Sequence, residues 1–117
     1  MDTVNGQLLI LPMIETVESL EAIDDIAAVD GVDVLLVGPS DLSINLDVTL
    51  EYRHAKYLDA LEKIGAAARR AGICAGMYFV PSGLAPEELI ELGFSFFTLP
   101  WQRWAKAGIE EALKKIC

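Results

Sequence analysis

Four short apolar runs recur along this chain, and a stretch with the apolar period of a helix follows each of them. The runs are Leu8–Ile14, Val34–Val37, Ile73–Val80 and Phe94–Pro100. Val34 to Val37 is apolar throughout, the pattern of a strand buried on both faces. Strand and helix in strict alternation predict a parallel sheet, because each helix carries the chain back before the next strand begins. The returns are short, so each crossover is expected to be right-handed. Two α/β architectures satisfy this: a small doubly wound open sheet, or half of an eight-stranded barrel. In both, ligands gather at the carboxyl ends of the strands.

The elements follow in order. Thr16 is a good N-cap, Glu18 and Glu21 suit a helix's positive end, and Val17, Leu20, Ile23 and Ala27 share one face. Asp30-Gly31 closes that helix. The second run breaks at Gly38-Pro39 and presents Ser40 and Asp41 just past its end. Leu42 to Leu50 has no clear helical period and is expected to be a loop on the active-site side. A helix from about Glu51 or Arg53 to Ala71 carries Leu58, Leu61, Ile64 and Ala68 as its stripe and ends at Gly72. Pro81-Ser82-Gly83 stops the third strand. Pro86 to Leu92 reads as a short helix with Glu87 and Glu88 in its first turn, and Gly93 terminates it. A last helix, about Gln102 to Ile116, is expected to turn Ala105, Ile109, Leu113 and Ile116 inward.

Composition narrows the function classes. At 117 residues the chain is expected to form one domain, residues 1–117, and 53% hydrophobic content leaves no room for disorder. Nine basic against 18 acidic residues give a net charge of -9, which argues against nucleic acid and against anionic lipid as partners. The longest apolar run, Leu8 to Ile14, is seven residues with a proline inside, too short to span a membrane. The first residues lack the basic start and apolar core of a signal peptide. Cys74 and Cys117 have no CxxC or zinc spacing, and Cys74, within an apolar run, reads as a buried thiol. A cytoplasmic protein is expected. After the first strand stands Pro12-Met13-Ile14-Glu15-Thr16, with neither GxGxxG nor GxxxxGK[ST], which disfavours a phosphate-binding open sheet.

Glu15 and Asp41 are the chemically suggestive pair, each just past the end of an apolar run. Neighbouring parallel strands lie about 4.8 Å apart, so two such carboxylates can converge on one small cation. Oxygen-only ligation with places left for water and substrate suits Mg²⁺ or Mn²⁺. Such a site would hold the carboxylate and keto oxygens of a 2-oxo acid and act as a Lewis acid. Gly38-Pro39-Ser40-Asp41 leads into a segment whose backbone N–H groups can face an anion. The alternative is that both acids merely cap the following elements. Spacing leaves both readings open.

Three ordered segments carry a resemblance. Leu11-Pro12-Met13-Ile14-Glu15-Thr16, Ile26-Ala27-Ala28-Val29-Asp30-Gly31-Val32-Asp33 and Val37-Gly38-Pro39-Ser40-Asp41-Leu42-Ser43 together resemble the HpcH/HpaI aldolase/citrate lyase family. A looser match continues through Ala71-Gly72 and Leu92-Gly93-Phe94. The resemblance implies a (β/α)8 TIM-barrel fold of which this chain, with its four βα units, is the C-terminal half. It implies a class II aldolase: divalent-metal-dependent cleavage of a 4-hydroxy-2-oxo acid to pyruvate and an aldehyde, with Mg²⁺ or Mn²⁺, or Co²⁺, as metal. Glu15 and Asp41 match the family's metal ligands. Gly38, Pro39, Ser40 and Asp41 match the turn that holds pyruvate, and Val80, at a strand end, is placed to touch substrate.

The family's catalytic His with its Asp partner, and its substrate-binding Arg, belong to the first half of the barrel. No catalytic residue is therefore expected within this chain, and activity would need a complementary N-terminal half. The sole histidine, His54, comes too late in the order and reads as a solvent-facing residue at a helix start. Leu99-Pro100-Trp101-Gln102 departs from the Ser-Asp or Thr-Asp usual at the last strand end. Ser40 and Ser43 have no local base partner, so a serine nucleophile is not expected. Trp101 and Trp104 either line a pocket or pack, and their three-residue spacing favours packing. Of Tyr78 and Phe79, the one that points inward is expected to be core. A half-barrel leaves two sheet edges unpaired, so a homo-oligomer is expected. The competing reading is a non-catalytic truncated half-barrel acting as an oligomerising or interaction module.

Overall fold

A computed structural model describes residues 4–116. The strand β2, Val34–Val37, is buried along its whole length. It pairs in parallel with β1, Met13–Ile14, on one side and β3, Cys74–Met77, on the other, and β3 pairs in parallel with β4, Phe94–Phe97. The strand order is β1-β2-β3-β4. A doubly wound sheet reverses direction at a switch point; here each new strand is added on the same side, the order of a barrel wall. The register Ile14↔Val37↔Met77↔Phe97 sets the carboxyl ends of the strands level.

The two faces of the sheet are distinct because side chains alternate. Ile14, Leu35, Val37, Ala75, Met77 and Phe94 belong to the core shared with the helices. The helices α1 (Val17–Glu21), α2 (Ile23–Ala27), α4 (Ala55–Ala71) and α5 (Pro86–Glu91) contribute Leu20, Ile23, Leu61, Ile64 and Leu89 to it. Burying each of these side chains is worth about 1.5–3 kcal/mol. On the other face, Gly76 lies so close to Val34 and Phe96 that a Cβ on it would stand 3.0 Å from each. At Gly65 of α4 a Cβ would overlap the carbonyl oxygen of Leu92, so glycine sets how closely α4 meets the loop before β4.

Local chemistry fixes the element ends. Thr16 Oγ1 accepts the Ser19 N–H while Ser19 Oγ accepts the Thr16 N–H, both at 3.1 Å, a reciprocal cap on α1. His54 caps α4 through Nδ1, which accepts the Lys56 N–H at 3.1 Å, and Gly72 ends it at φ 71°. The N–H of Ala85 donates to Glu88 Oε2 at 2.8 Å, and Arg53 donates to the same carboxylate. These bonds, the Ala85 N–H first and the Arg53 guanidinium second, hold the Glu88 carboxyl below its usual range.

Several expectations are corrected. The first strand is not Leu8–Ile14: β1 is two residues, preceded by a 3-10 turn at Val4–Gln7, and Leu8, Leu9, Ile10 and Met13 are exposed. Partial pairing does reach further back, since Ile10 O accepts from Asp33 N at 2.9 Å and Ile10 N donates to Asp33 Oδ2 at 2.8 Å. β1 is an edge, and the neighbour that such an apolar run needs is not among the described residues. The helix after Thr16 is broken at Ala22 into α1 and α2, and Val17 is exposed. The first part of the expected loop is a helix, α3 (Pro39–Asn45), because Pro39 supplies the preset φ of a first helical position.

Cys74 is exposed at the start of β3, not buried, and Cys117 lies outside the described residues. The last helix, α6 (Trp101–Ile116), buries none of its residues, so Ala105, Ile109, Leu113 and Ile116 do not form an inward stripe. Its apolar side has no partner among the described residues. Among the described residues no helix is long and apolar enough to cross a membrane.

Candidate functional site

The level strand ends bring Glu15, Gly38, Tyr78 and Thr98, each the residue after its strand, to one rim. The Gly38 N–H donates to Ile14 O at 3.3 Å, which holds the end of β1 against the end of β2. Glu15 leans over Gly38. A Cβ on Gly38 would stand 2.5 Å from Glu15 Oε2, 3.5 Å from Glu15 Cβ and 2.9 Å from Met13 Cε. Gly38 has φ -89° and ψ 98°, which any residue can adopt. Glycine supplies room here and not backbone freedom, and the room is taken by a carboxylate.

Asp41 sits in the first turn of α3, where the helix dipole favours a negative charge. Neither acid is itself the N-cap residue of the helix that follows it. Thr16, not Glu15, caps α1, and the N-cap of α3 is Gly38. Among the described residues neither carboxylate accepts a hydrogen bond or joins an ion pair. Two uncommitted carboxylates, Glu15 just past β1 and Asp41 in the first turn of α3, are donors of the kind that suits a hard divalent cation. No group of three or more His, Cys, Asp or Glu that could hold a metal occurs among the described residues. A cation held here would draw its other ligands from water and substrate.

The turn itself is tied from below. Ser43 is fully buried; its Oγ donates to Ser40 O at 2.7 Å and accepts the Leu50 N–H at 3.0 Å. The hydroxyl of Tyr57, also fully buried, donates to Pro39 O at 3.3 Å. Burial, reinforced by the neighbouring Tyr52, pushes the Tyr57 phenol well above its ordinary value and keeps it a donor. Tyr52 meets Tyr57 edge-on at 5.3 Å, and its hydroxyl lies 3.4 Å from Ser40 Oγ. These residues escaped the sequence reading because the contact from Tyr57 to Pro39 spans 18 positions and leaves no local pattern.

Glu15 thus lies on Gly38, and Pro39, Ser40 and Asp41 follow Gly38 as the first turn of α3. Val80 is set apart from them: half-buried beyond β3, it lines a hollow of about 240 Å³ with Phe79, Leu99, Pro100 and Trp104. A second hollow of about 250 Å³ lies between the ends of β3 and β4, walled by Tyr78, Phe79, Thr98 and Trp101. There Thr98 Oγ1 donates to Tyr78 O. Trp101 and Trp104 line these hollows and remain 67% and 57% exposed, so packing is not their role within the chain. Neither Tyr78 nor Phe79 is core. His54 is exposed and engaged in its cap.

Comparison with known proteins follows the same lines. A hydroxypyruvate/pyruvate aldolase of Paraburkholderia phytofirmans is 33% identical over 115 residues, covering 97% of this chain and 44% of the relative. A 4-hydroxy-2-oxo-heptane-1,7-dioate aldolase of Shigella sonnei is 31% identical over 109 residues, covering 93% of this chain and 41% of the relative. The chain therefore spans less than half the length of these relatives. Among solved structures, an HpcH/HpaI aldolase/citrate lyase family protein from Burkholderia cenocepacia superposes with a TM-score of 0.82 at 28% identity, over 97% of this chain and 44% of that one. An HpcH/HpaI aldolase from Desulfitobacterium hafniense gives 0.73 at 29% identity, over 92% and 44%. With the model of that family matching residues 2–100, and a sheet order of the expected kind, the chain belongs to the HpcH/HpaI aldolase/citrate lyase family.

Proposed function

We propose that this chain is the metal- and pyruvate-binding half of a class II aldolase-type carbon–carbon lyase, acting on 4-hydroxy-2-oxo acids to give pyruvate and an aldehyde. The observation that carries the reading is the Glu15 carboxylate lying on the bare Cα of Gly38, beside the turn that bears Asp41. Glu15 and Asp41 hold the divalent cation, Mg²⁺ or Mn²⁺, with Co²⁺ a further candidate of the same charge. When bound, the cation supplies Lewis-acid polarisation of a 2-oxo acid's carbonyl oxygen. Gly38, Pro39, Ser40 and Asp41 shape the surface against which the pyruvate portion rests. Val80 supplies an apolar wall farther along the rim. A complementary N-terminal half supplies the proton-transferring groups, and the protein works in the cytoplasm.

A second reading is favoured by one observation. Leu8, Leu9 and Ile10 beside the β1 edge, and Trp101, Trp104, Ile109, Leu113 and Ile116 on α6, are all more than half exposed. Such surface suits a non-catalytic half-barrel that assembles with a second copy or with an N-terminal half. A monodisperse monomer in light scattering would count against assembly in either form.

The experiment is a calorimetric titration of Mg²⁺ or Mn²⁺, with and without pyruvate, into the wild-type chain and Asp41→Ala. The aldolase reading expects metal-dependent pyruvate binding that the substitution abolishes. No metal binding by a folded sample leaves the scaffold without its chemistry.

A further inference from the structure

We infer that the start of α4 is a clamp that positions the metal ligand Asp41, with Tyr57 and Ser43 as its positioning residues; the inference rests on the metal-site reading above. The grip is at both ends of α3. Tyr57 donates to the carbonyl of Pro39, the first residue of α3, at 3.3 Å. Lys56 Nζ, one residue earlier on α4, donates at 2.9 Å to the carbonyl of Leu46, which ends α3. Between them the Ser43 hydroxyl joins Ser40 O to Leu50 N, so the loop after α3 is bonded to the first turn of that helix. Asp41 lies one residue past Ser40 and two past Pro39; the held Ser40 carbonyl belongs to the peptide that leads into Asp41, and the held Pro39 carbonyl to the peptide before that.

The loop shows what holding this arrangement requires. Asp47 and Leu50 adopt φ of 58° and 59°, the left-handed region that residues with a Cβ avoid. Backbone of this kind persists where the surrounding contacts over-determine it. The Leu50 N–H is one such contact, since it ends on Ser43 Oγ. Tyr57 is packed on all sides, with Tyr52 edge-on to its ring, so its hydroxyl has one place to go. Stabilising α3 alone would need neither a tyrosine from 18 residues away nor a serine bridging two loops. A carboxylate that is to meet a cation within about 0.2 Å gains from a backbone fixed in this way.

The test compares Mn²⁺ binding by calorimetry, and thermal melting, for the wild type, Tyr57→Phe, Ser43→Ala and Ile64→Val. Tyr57→Phe keeps the ring and its edge-on contact and removes only the hydroxyl. Ile64→Val truncates the buried face of α4 more than one turn from the clamp and reports what lost stability alone does. The clamp expects Mn²⁺ affinity roughly tenfold weaker in Tyr57→Phe and Ser43→Ala, the lower end of what removing a supporting hydrogen bond costs a metal site. It expects unchanged affinity in Ile64→Val. Wild-type affinity retained by folded Tyr57→Phe and Ser43→Ala overturns the clamp while leaving the metal site standing. Affinity lost equally in Ile64→Val also overturns it. A folded wild type that binds no Mn²⁺ overturns the metal site and the clamp together.

Discussion

Gly38→Ala separates the stability of this fold from its chemistry. The backbone at Gly38, with φ -89° and ψ 98°, accepts alanine without strain. Restricting the unfolded chain there favours the folded state by about 0.4–1 kcal/mol. Against this, the new methyl stands 2.5 Å from Glu15 Oε2 and 2.9 Å from Met13 Cε, where ordinary contact begins at 3.4 Å. Both obstacles are the far ends of flexible side chains, so the clash is relieved by rotation, and net stability should stay within about 1 kcal/mol of wild type. The relief has a chemical cost. Glu15 Oε2 must retreat by about 0.9 Å, several times the roughly 0.2 Å that a metal–oxygen bond tolerates. With only two protein carboxylates at the site, displacing one should weaken Mn²⁺ binding at least tenfold, about 1.4 kcal/mol. Calorimetry of Mn²⁺ binding beside a thermal melt gives both numbers. A folded Gly38→Ala chain with wild-type Mn²⁺ affinity would refute the geometry, since Glu15 would then not be a ligand in the position where it lies.

Three further outcomes follow from the packing and the ionisable groups. Gly65→Ala puts a methyl onto the backbone carbonyl of Leu92, where nothing flexible can yield; it should cost about 2–3 kcal/mol and lower Tm by roughly 10 °C in a melting experiment. The Glu88 carboxyl is held below its ordinary 4.5, so its contribution to stability is present above that value and is lost as pH falls through the lowered one. Denaturant midpoints between pH 6 and 3 (roughly the carboxylate range) should therefore fall more steeply in the wild type than in Glu88→Gln. Tyr57 behaves in the opposite sense: its phenol is raised from 10.0, so its contribution is present below that value and fades as pH rises above it. The alkaline loss of stability should shrink in Tyr57→Phe.

Where sequence and structure agree, the physics is local. β2 is visible as Val34–Val37 because a short, β-branched apolar run bounded by Gly31 and Gly38-Pro39 suits a strand covered on both faces, and Pro39 ends it by removing a donor. Gly72 and Gly93 are legible as helix stops because both take positive φ, 71° and 99°. The places of Glu15 just past β1 and of Asp41 just past Gly38-Pro39 are legible through the punctuation around them. Disagreement arises where burial depends on something distant. Leu8–Ile10 and α6 have the apolar pattern of buried elements, yet their sides are open in this chain; the pattern encodes a contact that the described residues do not supply. The break at Ala22 and the helix at Pro39–Asn45 were missed because five to seven residues are too few to show a period. The supports of the turn, Ser43 and Tyr57, carry no pattern in sequence, since each acts through a single hydroxyl reaching a backbone group.

The most direct measurement of the central claim is the paramagnetic broadening of pyruvate's C1 and C2 carbon resonances by Mn²⁺ in the presence of the chain. If Glu15 and Asp41 hold a cation to which a 2-oxo acid is drawn, both lines broaden far beyond what Mn²⁺ alone produces, and Asp41→Ala abolishes the excess. Broadening no greater than in protein-free solution, from a folded wild-type chain, would contradict the claim.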